Sequence, residues 1–220
     1  MKTLFITLVA FSLGFTSLKA QENSLATASP FKLGVLAGFT YTSSLSTYQD
    51  IKPLAGFLAG IDVQYSLPNH ASLHLQPSWT QAKSQSNHVT LNISTFKAPL
   101  LYRQYISPNR KLFFAQAGLS YNYLTNSIMR RQWDIVCFAA PCPNTGPDTP
   151  SSNKSAVSGI AGIGYTIELE KISIPITLQY ERYLNNYEFP NYDILNPSQS
   201  IGEPMQVKFE SFSLTTGINF

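Results

Sequence analysis

Ser72, His74 and Ser78 lie close together in the chain, and a serine beside a histidine is the beginning of a nucleophile and its base. Side chains two residues apart on an extended strand share a face, so all three would point the same way. A hydrolase also needs an acid to orient the imidazole, and spacing within one strand cannot supply it. Two readings therefore stand: a hydrolase using His74, and a hydrogen-bonded histidine in a packed interior.

Asp62, Lys97, Arg103 and Glu181, together with Gln179, form a second set. Each sits on the polar side of a segment that alternates apolar and polar residues. Charges enclosed by such segments are costly unless paired, so a network is expected, either a brace that closes the interior or a gated proton or ion path. Cys137 and Cys142, in CFAAPC, are the only cysteines. In an exported chain their proximity favours a disulfide that pins one loop tip, since a redox dithiol more naturally has two intervening residues and a metal site needs more ligands. The loop around them carries Arg130, Arg131, Trp133 and Phe138, and a later loop carries Tyr187 and Tyr192. Arginine and aromatic side chains are common at recognition surfaces, so these loops are expected either to meet a partner or to pack on each other as a lid. No glycine-rich phosphate loop and no metal-spaced His and Cys set is present, so no cofactor is implied.

Eight alternating segments carry these residues, at 31–42, 57–67, 72–81, 91–106, 112–123, 156–169, 172–184 and 206–220. Each is near the ~9–11 residues that a tilted strand needs to cross the hydrocarbon of a bilayer. In the last, Phe212, Leu214, Thr216, Ile218 and Phe220 oppose Ser213, Thr215, Gly217 and Asn219. The fourth changes phase: Leu91 and Ile93 share one parity, Phe96, Ala98, Leu100 and Tyr102 the other, and a bulge near Ser94 and Thr95 would reconcile them. Links two, four and six are short, whereas one, five and seven are long, the habit of barrels with short periplasmic turns and longer outer loops. Gly34, Gly38, Gly60, Gly118, Gly162, Gly164 and Gly217 all fall on inward parity. Eight strands leave an interior that side chains fill, so no solute-sized pore is expected.

Lys2, an apolar run from Leu4 to Phe15 and a small-residue end at Ala20 predict a signal peptide over residues 1–20, cut before Gln21. A short segment, 21–30, would then lead into a barrel domain over 31–220. Removing Lys2 and Lys19 from the 15 basic residues leaves 13 against 12 acidic, a net charge near +1 with no basic stripe for nucleic acid. Charged residues are 12% of the chain, about half the usual share for a soluble domain, while aromatics reach 13%. The pattern predicts an all-β, eight-stranded, antiparallel up-and-down transmembrane barrel with a narrow, filled lumen. A soluble lipocalin-type barrel is the structural rival, but there the apolar set faces inward, and here the inward set is glycine and polar.

The segments FKAPLLYRQYI, FFAQAGLSYNYL, GIAGIGYTIEL and the terminal FSLTTGINF, in that order, resemble the PorT-like family of outer-membrane β-barrel proteins of Bacteroidota. The resemblance covers nearly all of the chain after residue 20. It implies an outer-membrane location, a signal peptide, and reading of the terminal Phe220 by the barrel-assembly machinery, while the even strand count leaves both termini in the periplasm. It implies no enzyme activity, and a secretion role would rest on analogy of fold. Three classes follow: a structural or interaction barrel showing loops to an extracellular or outer-membrane partner, a solute or ion transport or secretion-associated barrel, and a hydrolase using His74. The first fits a filled lumen and the loop composition, with lipid as surroundings and a monomer as the expected state.

Overall fold

The computed structural model describes residues 30–45, 52–85, 89–106, 112–131, 148–169, 172–192 and 202–220. Strands run as β1 (Phe31–Ser44), β2 (Leu54–Leu67), β3 (Ala71–Leu75), β4 (Ser78–Gln85), β5 (Val89–Tyr105), β6 (Phe113–Arg131), β7 (Ser155–Glu168), β8 (Ser173–Tyr183), β9 (Tyr187–Phe189), β10 (Met205–Val207) and β11 (Phe209–Asn219). β3 and β4 lie end to end as one stave, interrupted at Gln76 and Pro77, where proline has no N–H to give the ladder. The Pro77 carbonyl still receives the Ile61 N–H at 3.0 Å, so the wall stays closed there.

Eight antiparallel staves make a complete ring, because β11 pairs with both β8 and β1, and β1 pairs with β2. Closure leaves no edge, which is what a sheet surrounded by lipid requires. The side chains divide as the alternation predicts. Phe39, Ile163, Leu119 and Leu214 are among the outward residues that stay exposed, whereas Thr40, Ser158, Ser120 and Ser213 are buried inside. Aromatic pairs sit at both rims of the outer belt: Phe31 with Tyr65 and Phe113 with Tyr165 at one, Phe57 with Trp79 and Tyr180 with Phe212 at the other. Such girdles match the headgroup levels of a membrane.

One end of the ring carries the close connections between staves and is called the turn end. There Asn69 and His70 take left-handed backbone, φ 62° and 58°, between β2 and β3. The amide of Gln104 donates to the carbonyls of both residues, at 3.0 and 3.3 Å, and the Tyr105 N–H donates to that of His70 at 3.0 Å. Phe220 lies at this end with an exposed ring, its N–H donated to Leu33 at 2.8 Å.

At the opposite, loop end, β5 and β6 run to 17 and 19 residues, well past the length needed to cross hydrocarbon. The outward apolar series on β6 stops at Tyr123. The expected bulge is present at the Ser94–Thr95 step, but its extra residue is on the neighbouring strand and not on β5. β5 pairs with β4 without interruption, and Leu91 and Ile93 face inward with Lys97. The extra residue is Thr125 of β6, opposite the Ser94 to Thr95 step, where the β5–β6 register shifts. Leu91 and Ile93 are apolar although inward because they belong to a dry core above the polar lumen. That core gathers Leu54, Leu124, Met129, Tyr187, Phe189, Met205, Val207 and Phe209.

The β9–β10 hairpin closes this core, so residues 206 and 207 do not extend the last stave as expected, and Tyr187 is only 1% exposed. Its hydroxyl has no hydrogen-bond partner among the described residues. Burial, the largest cause, pushes the Tyr187 phenol above its ordinary value of 10. A raised phenol contributes stability that is complete below pH 10 and is lost as the pH rises beyond it. Tyr187→Phe removes an unpaired buried hydroxyl at little cost in shape. It is expected to raise stability by about 1 kcal/mol in denaturant titrations of the folded barrel, and to remove part of the loss above pH 10. A destabilised variant would contradict this account of the lid.

Candidate functional site

The inward ionisable residues form two groups, one above the other. The group nearer the loop end centres on Glu181 of β8, which forms an ion pair with Lys97 of β5. Ser158 donates to its Oε1 at 2.5 Å and Ser211 to its Oε2 at 3.3 Å. Asn122 donates to the Ser158 oxygen at 2.7 Å, and Ser120 donates to Asn122 at 3.1 Å. Five staves are tied by this set, with both carboxylate oxygens satisfied. The Lys97 ammonium also lies 5.6 Å from the centre of the Tyr183 ring, beneath the lid. Ser78 stands beside Lys97 in the β4–β5 register and so belongs to this group rather than to His74.

The group nearer the turn end centres on Asp62 of β2. His74 on β3 donates its Nδ1–H to the Asp62 carboxylate, with Nδ1 at 2.9 and 3.1 Å from the two oxygens. A carboxylate only accepts, so Nδ1 holds the proton and the neutral ring presents a lone pair at Nε2. Ser72 Oγ lies 2.9 Å from that Nε2 and donates to it. Asn219 of β11 adds a 3.3 Å hydrogen bond to Asp62, and the charge of Arg103 also acts on Asp62 and His74. Asp62, Ser72 and His74 are buried to 2%, 1% and 0% exposure.

Local sequence explains how these groups fit. Gly34 faces Asn219 across the β1–β11 seam, and a Cβ on Gly34 would lie 1.9 Å from the Asn219 Oδ1. Only the absent side chain lets Asn219 reach Asp62. Gly164 similarly admits the Phe114 ring, whose tip would stand 2.2 Å from a Cβ there. Phe114 in turn carries the Arg103 guanidinium 3.9 Å from its ring centre, and Gln116 Oε1 accepts from Arg103 Nε and Nη2 at 3.2 and 3.0 Å. Between the two groups lies a cavity of about 20 Å³, lined by Leu36, Leu58, Gln76, Ser78 and Lys97 among others, enough for about one water.

Alternation places all four candidate lumenal charges on the inner face. It does not reveal that Asp62 is the partner of His74, nor that Asn122, Ser158 and Gln116 complete the hydrogen bonding. At the loop end, Arg130 is exposed and forms a bidentate pair with Asp148 at 2.8 and 3.1 Å, which holds that carboxyl below its usual range. Arg131 donates to Asn191 at 2.7 Å, and Tyr192 is half-buried. Tyr187 is no part of an exposed platform, because it packs on Tyr183 and Phe209 inside the lid. Trp133, Phe138, Cys137 and Cys142 lie outside the described residues.

A closed ring of eight antiparallel staves with a lipid-ready outer belt and a filled polar interior defines a bacterial outer-membrane β-barrel. The chain belongs to the family described as outer membrane protein beta-barrel domain, whose pattern it matches over residues 7–220. No curated protein matches it in sequence. Solved structures similar to it include Neisserial surface protein A (15% identity, TM-score 0.46, covering 87% of this chain and 96% of that one). Another is Ail, the attachment invasion locus protein of Yersinia pestis (11% identity, TM-score 0.47, 86% and 98%). A third is the translocator domain of the autotransporter NalP from Neisseria meningitidis (9% identity, TM-score 0.41, 100% and 96%).

Proposed function

We propose that this chain is a sealed interaction barrel of the PorT-like kind, exported by the signal peptide at 1–20, with its turn end in the periplasm and its loop end outside the cell. The single observation that carries this reading is the double closure of the lumen. The Lys97–Glu181 group fills the bore, and the β9–β10 hairpin covers it with a dry core. A solute or ion path would have to cross both. What remains for the outside is a surface: the strand extensions of β5 and β6, the Arg130–Asp148 pair, Arg131 and Tyr192, joined in the proposal by Trp133, Phe138 and a Cys137–Cys142 disulfide. The partner is a protein of the cell surface or outer membrane, the barrel itself is a monomer in lipid, and Phe220 is the residue that the assembly machinery reads.

Replacing residues 132–147 by a short Gly–Ser linker leaves both lid-forming strands in place. Crosslinked partners recovered from intact outer membranes are expected to be lost with that replacement, and an unchanged partner list would reject the platform. In planar bilayers the wild-type protein is expected to carry no steady current. A steady current abolished by Asp62→Asn would favour the transport reading instead.

A further inference from the structure

Ser72, His74 and Asp62 have the contacts of a nucleophile, a general base and an orienting acid: Oγ to Nε2 at 2.9 Å, and Nδ1 to carboxylate at 2.9 Å. Two further residues complete a row across neighbouring staves. Ser72 pairs with Arg103 in the β3–β5 register, and Arg103 pairs with Gln116 in the β5–β6 register, all three buried in the lumen. Gln116 accepts from Arg103 through Oε1, while its Nε2 is buried with no hydrogen-bond partner among the described residues. This amide donor stands one stave from the Arg103 cation and two from Ser72, and a free donor next to a cation is the kind of group that a developing oxyanion requires. We propose that this row is a hydrolytic centre for short acyl esters that enter from the turn end.

The opening at that end has a cavity of about 280 Å³ lined by Lys32, Glu168, Ser173, Asn219 and Phe220. Asn219, which lines it, is also the residue hydrogen-bonded to Asp62, so one layer of side chains separates the opening from the relay. Tyr105 and Phe114, ring centres 5.8 Å apart, are also buried at that end. A narrow bore of this kind selects a short acyl group over a lipid chain or a peptide.

In the reaction, Ser72 Oγ bonds to the ester carbonyl carbon and its proton moves to His74 Nε2. The carbonyl oxygen becomes an oxyanion held by Arg103 and Gln116. The carbon–alkoxy bond breaks, and the alcohol leaves with the proton from His74. Water then attacks the carbonyl carbon of the acyl-serine, giving its proton to His74 Nε2; the bond from that carbon to Ser72 Oγ breaks, the acid leaves, and His74 returns the proton to Ser72 Oγ. The sum is ester and water to acid and alcohol. Asp62 acts through His74 and is a positioning residue.

The test uses the full-length barrel folded in detergent micelles, with diisopropyl fluorophosphate as probe and intact-mass and peptide mapping as readout. Ser72 is expected to be labelled in the wild type and faster in Phe114→Ala, which opens the floor. His74→Ala is expected to slow labelling roughly a thousandfold or more. With p-nitrophenyl acetate, the wild-type rate is expected to rise with pH to a plateau as His74 loses its proton. In Asp62→Asn, the plateau is expected to be lower and its midpoint displaced, a change that a merely structural hydrogen bond would not produce. If Phe114→Ala does not fold, Tyr105→Ala opens the same floor. An unlabelled Ser72 in both the wild type and a folded open-floor variant overturns the proposal, as does labelling of His74→Ala at the wild-type rate.

Discussion

Lys97→Met is expected to cost about 3–5 kcal/mol of stability in denaturant titrations of the barrel in lipid vesicles. The substitution keeps the length and much of the packing of the side chain but leaves Glu181 buried without its cation. Ser158 and Ser211 still donate to that carboxylate, yet two hydroxyls do not replace a cation beside a charge buried in the lumen. The double variant Lys97→Met with Glu181→Gln is expected to recover more than half of the loss, since no charge then remains to be buried. The pair thus contributes little compared with an uncharged replacement, while losing one member is severe. A single substitution that costs less than about 1 kcal/mol would mean that water reaches Glu181 and that the bore is not closed there.

Phe209→Ala is the second large effect, expected at about 3–5 kcal/mol. Phe209 is 1% exposed and its ring meets Tyr183 at 6.0 Å and Tyr187 at 5.8 Å between centres. It starts the last stave and also fills the floor of the lid, so truncation opens a cavity where β9 and β10 meet the barrel. Limited proteolysis should find the hairpin newly susceptible while the outer belt remains protected. If the unfolding midpoint drops but the hairpin stays resistant, the lid does not depend on this ring as described.

Alternation alone made much of this architecture legible. Outward Phe39, Leu119 and Leu214 and inward Asp62, Lys97, Arg103 and Glu181 follow from parity, because a strand has only two faces. Contacts across the lumen do not follow from parity. His74 and Asp62 sit on neighbouring staves at diagonal positions, and which residues meet is fixed by the stagger of the ring, a property of all eight pairings together. That the extra residue of the bulge lies on β6 and not on β5 has a similar cause. Leu91 and Ile93 looked outward because they are apolar, whereas above the membrane it is the inward face that is apolar, under a lid made by residues more than ninety positions away. Tyr187 looked like a recognition residue for the same reason: a loop rich in aromatics reads alike whether it meets a partner or its own barrel.

The span of the Lys97–Glu181 pair bears on how the wall is assembled. β5 and β8 are three staves apart in the ring, so in a flat sheet the two side chains would be separated by about 14 Å, three interstrand spacings. Only curvature brings them together. A partial sheet of the first five staves would carry Lys97 without Glu181, its partner in the finished ring, facing whatever medium filled the concave side. A hairpin carrying Lys97 or Glu181 into the hydrocarbon by itself would therefore take an unpaired charge with it. The ion pair favours a sheet that curls before it is surrounded by lipid, which makes a buried pair in the finished molecule a constraint on the sequence of events by which the molecule is built.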